Sequence, residues 1–225
     1  MSFDYEEKPS RSRFVDVFWQ THDTSDGTYL AAADACWDMI FIRAVDEVRV
    51  LLSGPSSTIT PVPYQAGNRN VGIRFVQGSF LTHVPATVMV DTTIALPLTD
   101  DGRFTLAGHD WPVPTYDTIE DFVAVLETRD LLSDDPLVLA ALRGDAPTAS
   151  ARSVQRHFSQ VTGLTEKRIQ TIIRARKAVG LLQDGASILD VTHDLGYADQ
   201  AHLTRDLKRL TGYTPGQTKE RDEPI

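Results

Sequence analysis

The sequence predicts a two-part α+β chain, with a β-rich half followed by an all-helical one. Between residues 12 and 116, short β-branched and aromatic runs are separated by Gly, Pro, Asn and Asp turns. Beyond residue 117, apolar residues recur at three- and four-residue spacing behind Ser, Thr and Asp caps. Charge divides along the same line: residues 1–149 carry 10 Lys and Arg against 22 Asp and Glu, a net −12, and residues 150–225 carry 12 against 9, a net +3. A chain of 225 residues commonly holds one or two domains. We expect an acidic β-rich unit with a closing helix over 1–132 and a helical unit over 133–225.

The strands come first. Residues 14–19 alternate apolar and polar positions loosely. Residues 39–42, 48–52 and 71–75 are short, β-branched and bounded by turns at 53–55, 66–68, 77–78 and 100–102. Many short strands with such turns imply an antiparallel barrel or sandwich. Residues 117–132 then read as a helix, with Thr118 and Asp121 as a capping box and Ile119, Phe122, Val123 and Leu126 on one face. Residues 133–136 start the next helix, with Pro136 in its first turn. Thr165 caps a helix reaching Leu182, whose stripe of Ile169, Ile172, Ile173 and Val179 is interrupted by Arg176. An interior Arg174 or Arg176 needs a carboxylate, and Asp190 or Asp194 is the expected partner.

Residues 187–217 read as two short helices joined by a tight turn. Ser187 with Asp190 forms a capping box, and Ile188, Val191 and Leu195 make one apolar face. Gly196 suits the left-handed position that ends a helix. Asp199 caps a second helix striped by Leu203, Leu207 and Leu210, which Gly212 and Pro215 end. This is a helix-turn-helix, whose second helix enters the DNA major groove. With Leu203 in the core, Ala201, Thr204, Arg205 and Lys208 lie opposite, flanked by Gln200 and His202. Arg and Gln suit paired hydrogen bonds to guanine and adenine, whereas Lys208 and Arg209 suit phosphates. The alternative is a solvated charged face on an ordinary amphipathic helix.

Residues 150–217 resemble the AraC-type (AraC/XylS) transcriptional regulators. The resemblance rests on Arg152-Ser153-Val154-Gln155-Arg156-His157-Phe158, Thr162-Gly163-Leu164-Thr165, Arg174-Ala175-Arg176-Lys177-Ala178, Gly196-Tyr197, His202-Leu203-Thr204-Arg205, Leu210-Thr211-Gly212 and Thr214-Pro215. It implies two helix-turn-helix units joined by one long helix, reading adjacent major grooves. The first unit departs from that pattern. Residues 152–158, capped by Ser150, match its recognition helix, but only residues 144–149 separate them from the apolar run 137–142. Pro147 cannot sit inside a helix, so the scaffold helix of this unit is shortened or lost. Arg152, Gln155 and Arg156 either still touch DNA or belong to a helix that only packs.

More loosely, the N-terminal half resembles the sensor domains of some AraC-type regulators, through Ala35-Cys36-Trp37-Asp38, Gly54-Pro55, Gly72-Ile73-Arg74-Phe75, Gly78 and Asp91. That resemblance implies a cupin-like effector or oligomerisation domain, and a small barrel can hold one small ligand. Cys36, Trp37, Asp38 and Arg74 are the candidate ligand-binding residues. Alternatively, Cys36 and Trp37 are core and Asp38–Arg74 is a plain ion pair. The expected partners are promoter or operator DNA, a small-molecule effector, RNA polymerase and a second copy of the chain.

No catalytic residue, cofactor or metal is expected. His22, His83 and His109, with Asp23 or Asp110, match no compact ligand spacing. Asp34 and Asp38 oppose a thiolate at Cys36. No phosphate-cradling glycine loop or nucleophile elbow is present. A metalloprotein of cupin type and a protein-interaction module are the competing classes. A single cysteine excludes an internal disulfide framework and fits a reducing cytoplasm. No secretory leader or membrane-length apolar run is apparent, so the expectation is a cytoplasmic chain.

Overall fold

A computed structural model describes residues 3–145 and 149–221. Pro147 lies outside the described residues. The frame is an antiparallel six-stranded sheet. Its order is β1 (Phe3–Lys8), β2 (Val15–Asp23), β7 (Arg69–Phe75), β4 (Asp38–Arg43), β5 (Val48–Ser53) and β9 (Thr93–Ala95). The sheet is open, with β1 and β9 as its edges. Successive side chains point to opposite faces of a strand. In β4, Met39 and Phe41 are fully buried on one face, while Ile40 and Ile42 stand on the other. The buried face is covered by the hairpin β10 (Arg103–Leu106) and β11 (His109–Pro112) and by α1 (Ile119–Thr128). Phe41, Phe104, Phe122 and Trp111 meet there in tilted and edge-on pairs 5.4–5.8 Å apart, a geometry that aligns ring edges with ring faces. The hairpin β3 (Gly27–Ala31) and β6 (Thr60–Tyr64) faces the opposite side of the sheet.

Two local expectations need correction. The capping box of Thr118 and Asp121 does not form, because Thr118 Oγ1 accepts the Thr115 N–H at 2.9 Å and faces the preceding turn. The helix also stops at Thr128 instead of running to 132. Asp130 takes a left-handed φ of 55°, and Leu132–Asp134 (β12) leaves to pair with β8 (Ser79–Leu81).

After α1, the helices begin where side-chain oxygens satisfy their first N–H groups. Asp135 Oδ1 accepts from Leu137 and Val138 N–H to start α2 (Pro136–Leu142). Ser150, Thr165, Ser187 and Asp199 cap α3 (Ala151–Thr162), α4 (Glu166–Gln183), α5 (Ile188–Asp194) and α6 (Gln200–Thr211). Thr214 and Gln217 form a reciprocal capping box on α7 (Pro215–Lys219). Phe158, Ile172, Leu182, Leu203 and Leu207 bury their side chains completely in the core of this half.

The partner expected for the interior arginines is also corrected. Asp190 bonds Ser187 and Asp194 lies by His193, both on the exposed side of α5. Arg174 instead lies 3.5 Å from Asp206 and stacks 4.3 Å from the Tyr197 ring centroid.

The two halves share a continuous seam. Ala33 and Ala35 belong to the helical core cluster. Gly163 ends α3 at φ 71°, and a Cβ there would lie 2.4 Å from Val90 Cγ2 and 2.8 Å from the Ala86 carbonyl oxygen. Both the left-handed backbone and the close approach demand glycine. Gly163→Ala should therefore lower unfolding stability by about 2–4 kcal/mol, the sum of backbone strain and overpacking. Urea titration checks this, and an unchanged midpoint would contradict the packing described.

Candidate DNA interface and ligand pocket

The outward face of α6 is built from its cap onward. Asp199 Oδ1 accepts the His202 N–H at 2.6 Å, fixing the first turn. Leu203, Leu207 and Leu210 face the core, so Gln200, Ala201, Arg205 and Lys208 are exposed. Thr204 is half-buried and its hydroxyl donates back to the Gln200 carbonyl at 2.7 Å. His202 turns inward instead, with its ring edge-on to Tyr197 at 5.2 Å and Nε2 3.6 Å from Asp206 Oδ2. Asp206 also holds Arg209 at 2.9 Å and Arg174 at 3.5 Å. One buried carboxylate thus ties α6 to α4 and engages Arg209. Among the described residues, Arg205 and Lys208 have no ion-pair partner, so both are available to an external anion.

Between α5 and α6, Gly196 takes φ 67°, and Tyr197 N–H donates to the Thr192 carbonyl at 2.9 Å. The turn is the one expected from sequence. In the first unit, Arg152, Gln155 and Arg156 are exposed on α3, while Val154 and Phe158 are buried. The helix preceding α3 is the short α2, and His157 Nδ1 lies 3.0 Å from the Asp135 carboxylate at its start. Burial pushes the Asp135 carboxyl up, but His157 and the two capping N–H groups outweigh it and hold it below its ordinary value.

A cavity of about 300 Å³ lies between the open face of the sheet and the β3–β6 hairpin. Its floor is Trp19, Ile40 and Leu51, which occupy one cross-strand row with Gly72. A Cβ on Gly72 would fall 2.0 Å from Trp19 Cε2, so the indole lies flat across the glycine. Phe3, Tyr29 and Tyr64 close the cavity as edge-on pairs. Burial pushes the Tyr5 and Tyr29 hydroxyls up in pKa. Arg74 stands at one end, and Asn68 and Asn70 also line the wall.

Arg74 connects this cavity to the seam. Its Nε lies 3.2 Å from Asp34 and 3.6 Å from Asp38. Burial pulls its pKa down, but the two carboxylates more than offset this and raise it. Burial pushes Asp38 up to about 7 against the pull of Arg74. Asp34 is 5% exposed and accepts from the Cys36 N–H and the Ser56 hydroxyl, both at 2.9 Å. These bonds hold residues 32–37 in a fixed course, with Ala35 at φ 57°. At its start, the Ala33 N–H donates to the Leu210 carbonyl at 2.8 Å, and Thr58 Oγ1 donates to the Arg209 carbonyl at 3.5 Å. The last carbonyls of a helix have no partner within it. Loops of the β-rich half therefore cap the C-terminal end of α6.

Residues 145–221 match a family profile described as a helix-turn-helix domain. The C-terminal helices form a helix-turn-helix domain. Among curated proteins none matches the chain. In overall shape the chain is loosely similar to ToxT from Vibrio cholerae, with a TM-score of 0.44 at 9% identity, over 98% of this chain and 97% of that one. ToxT bound to (E)-4-(8-methylnaphthalen-1-yl)but-3-enoic acid gives 0.44 at 11% identity over 98% of each chain. The unsaturated-fatty-acid-bound ToxT of Vibrio cholerae gives 0.36 at 11% identity, over 95% and 90%.

The four pocket residues expected from sequence separate in space. Arg74 lines the apolar cavity and Asp38 pairs with it. Trp37 is buried in the sheet core, and Cys36 lies on the seam, its thiol pushed up by burial and by Asp34. The aromatic walls were missed: Trp19, Tyr5, Tyr29 and Tyr64. Among the described residues no group of three or more His, Cys, Asp or Glu is placed to hold a metal. His22 lies on β2, His109 on β11 and His83 after β8.

In the helix-turn-helix domain, Arg205→Ala and Gln200→Ala should each cost about 1–3 kcal/mol on preferred DNA and relax the preference. Lys208→Ala should weaken binding to all sequences alike. Parallel titrations of selected and random duplexes decide this, and equal losses on both for all three variants would refute the assignment.

Proposed function

We propose that the chain is a sequence-specific DNA-binding transcriptional regulator in which residues 1–132 sense a small effector or a second copy and residues 133–225 bind DNA. The carrying observation is the α6 face, where Gln200, Arg205 and Lys208 stand exposed on a helix whose core side and both ends are fixed. Gln200 and Arg205 read base edges, with Ala201 and Thr204 beside them. Lys208 meets phosphate, and Arg152, Gln155 and Arg156 of α3 add contacts to the backbone or the adjacent groove. His202 acts mainly by holding the turn. An effector enters the aromatic cavity, and Arg74 passes its presence to α6 through Asp34 and residues 32–37. The ligand contacts are Arg74 and the aromatic walls, with Asp38 behind Arg74. RNA polymerase and operator DNA complete the set of partners, and the chain carries out no catalysis. No described helix is long and apolar enough to cross a membrane.

Selection of bound duplexes from a random pool tests this reading. Enrichment of one motif by the full chain supports it, and no enrichment contradicts it. The short α2 and the brief connection to α3 leave the first unit without its usual scaffold helix. We expect one major groove to dominate the footprint of each chain, so tight binding needs a dimer on half-sites about one DNA turn apart. Footprinting across a concentration series measures this. A monomer protecting two successive major grooves would contradict it.

A further inference from the structure

A second cleft, of about 560 Å³, opens on the seam between the halves. The helical half contributes Arg143 from the end of α2 and Arg176 and Lys177 from α4. The β-rich half contributes one carboxylate, Asp16, which is exposed on β2. Arg143 also pairs with Asp145 at 3.3 Å. Arg176 and Lys177 have no carboxylate within ion-pair distance among the described residues. Like charges lining one cleft repel each other unless an anion joins them. The rest of the wall is Gln77 and Cys36 together with the apolar Val76, Leu139, Leu142 and Ile173, the last three exposed enough to line the cleft.

Three features fix the chemistry of an occupant. The cleft residues carry a formal surplus of two positive charges, in a half-chain interface whose other side is strongly acidic. Guanidinium groups grip phosphate through paired N–H donors, and the lysine adds a point charge. The apolar wall accommodates an organic body. Arg176 also lies near the β-rich half: burial pushes Cys36 and Asp38 up, Arg74 draws both back, and Arg176 adds a smaller pull.

We propose that this cleft binds a small dianionic phosphomonoester with an apolar body, gripped by Arg176, Lys177 and Arg143. Because the site draws on both halves, its occupant steadies their docking. The site is separate from the aromatic cavity and does not depend on what that cavity binds.

The test is calorimetric titration of the full chain with phenyl phosphate at about pH 8, where the phosphate is dianionic. One molecule should bind per chain. Inorganic phosphate should bind at least about tenfold more weakly for want of the apolar contact, and phenol should not bind. Arg176→Gln with Lys177→Gln should cut affinity at least about tenfold, since two charge-assisted contacts are lost. Asp16→Asn, on an exposed strand position, should strengthen it by removing a like charge. Methyl resonances of Leu139, Leu142 and Ile173 should shift in the unaltered protein. The proposal falls if phenyl phosphate does not bind, if the variants bind it equally, or if shifts appear at Ile40 and Leu51 instead. It also falls if short duplex DNA displaces phenyl phosphate and the Arg176, Lys177 variant loses DNA affinity alike. That outcome would make these cations contacts to the DNA backbone.

Discussion

A buried carboxylate holds the two halves together. Asp34 lies in a connecting segment with no regular structure, yet it is almost wholly removed from water. A carboxylate in that position is tolerable only when its oxygens are bonded and its charge matched. The Cys36 N–H and the Ser56 hydroxyl bond Oδ1, and the Arg74 guanidinium matches the charge 3.2 Å from Oδ2. Their combined grip sets the path of residues 32–37, and that path brings the Ala33 N–H to the last turn of α6. The same charge cluster thus reaches the aromatic cavity at one end and the recognition helix at the other. Coupling between the sites needs no long chain of intermediates, because Arg74 is a wall of one and Asp34 the anchor of the other.

Charge is distributed to match. The β-rich half is strongly acidic, which keeps it off the polyanionic duplex. Six cations of the helical half take three different roles. Arg205 and Lys208 face outward from α6. Arg174 and Arg209 are taken up by Asp206, which fixes α6 against α4. Arg176 and Lys177 turn to the seam. Residue type alone does not separate these roles. Their separation comes from the turn of each helix and from where a carboxylate falls in the fold.

Much of this was legible in the sequence, and the failures have physical causes. Caps and stripes placed α3 to α6 closely, because Ser150, Thr165, Ser187, Asp199, Gly196 and Gly212 act through their own neighbours. The end of α1 was misjudged because pairing of Leu132–Asp134 with β8 is a non-local contact that overrides helical spacing. Asp206 was missed as the partner of Arg174 because it lies 32 residues away along the chain. The aromatic cavity left one readable trace. Met39-Ile40-Phe41-Ile42 is apolar at every position, which for a strand means that neither face meets water. What covers the second face, the hairpin with Tyr29 and Tyr64, is set by tertiary packing and carries no local signal.

The account stands or falls on the joint between Asp34, Ala33 and the end of α6. Residue-resolved hydrogen exchange on the full chain, unaltered and with Arg74→Met, addresses it directly. The Ala33 amide should be protected in the unaltered chain. In the variant, protection should drop at Ala33 and in the last turn of α6, while Phe41 and Leu52 in the sheet core keep theirs. An Ala33 amide that exchanges freely in the unaltered chain, or is equally protected in both, would contradict the coupling described.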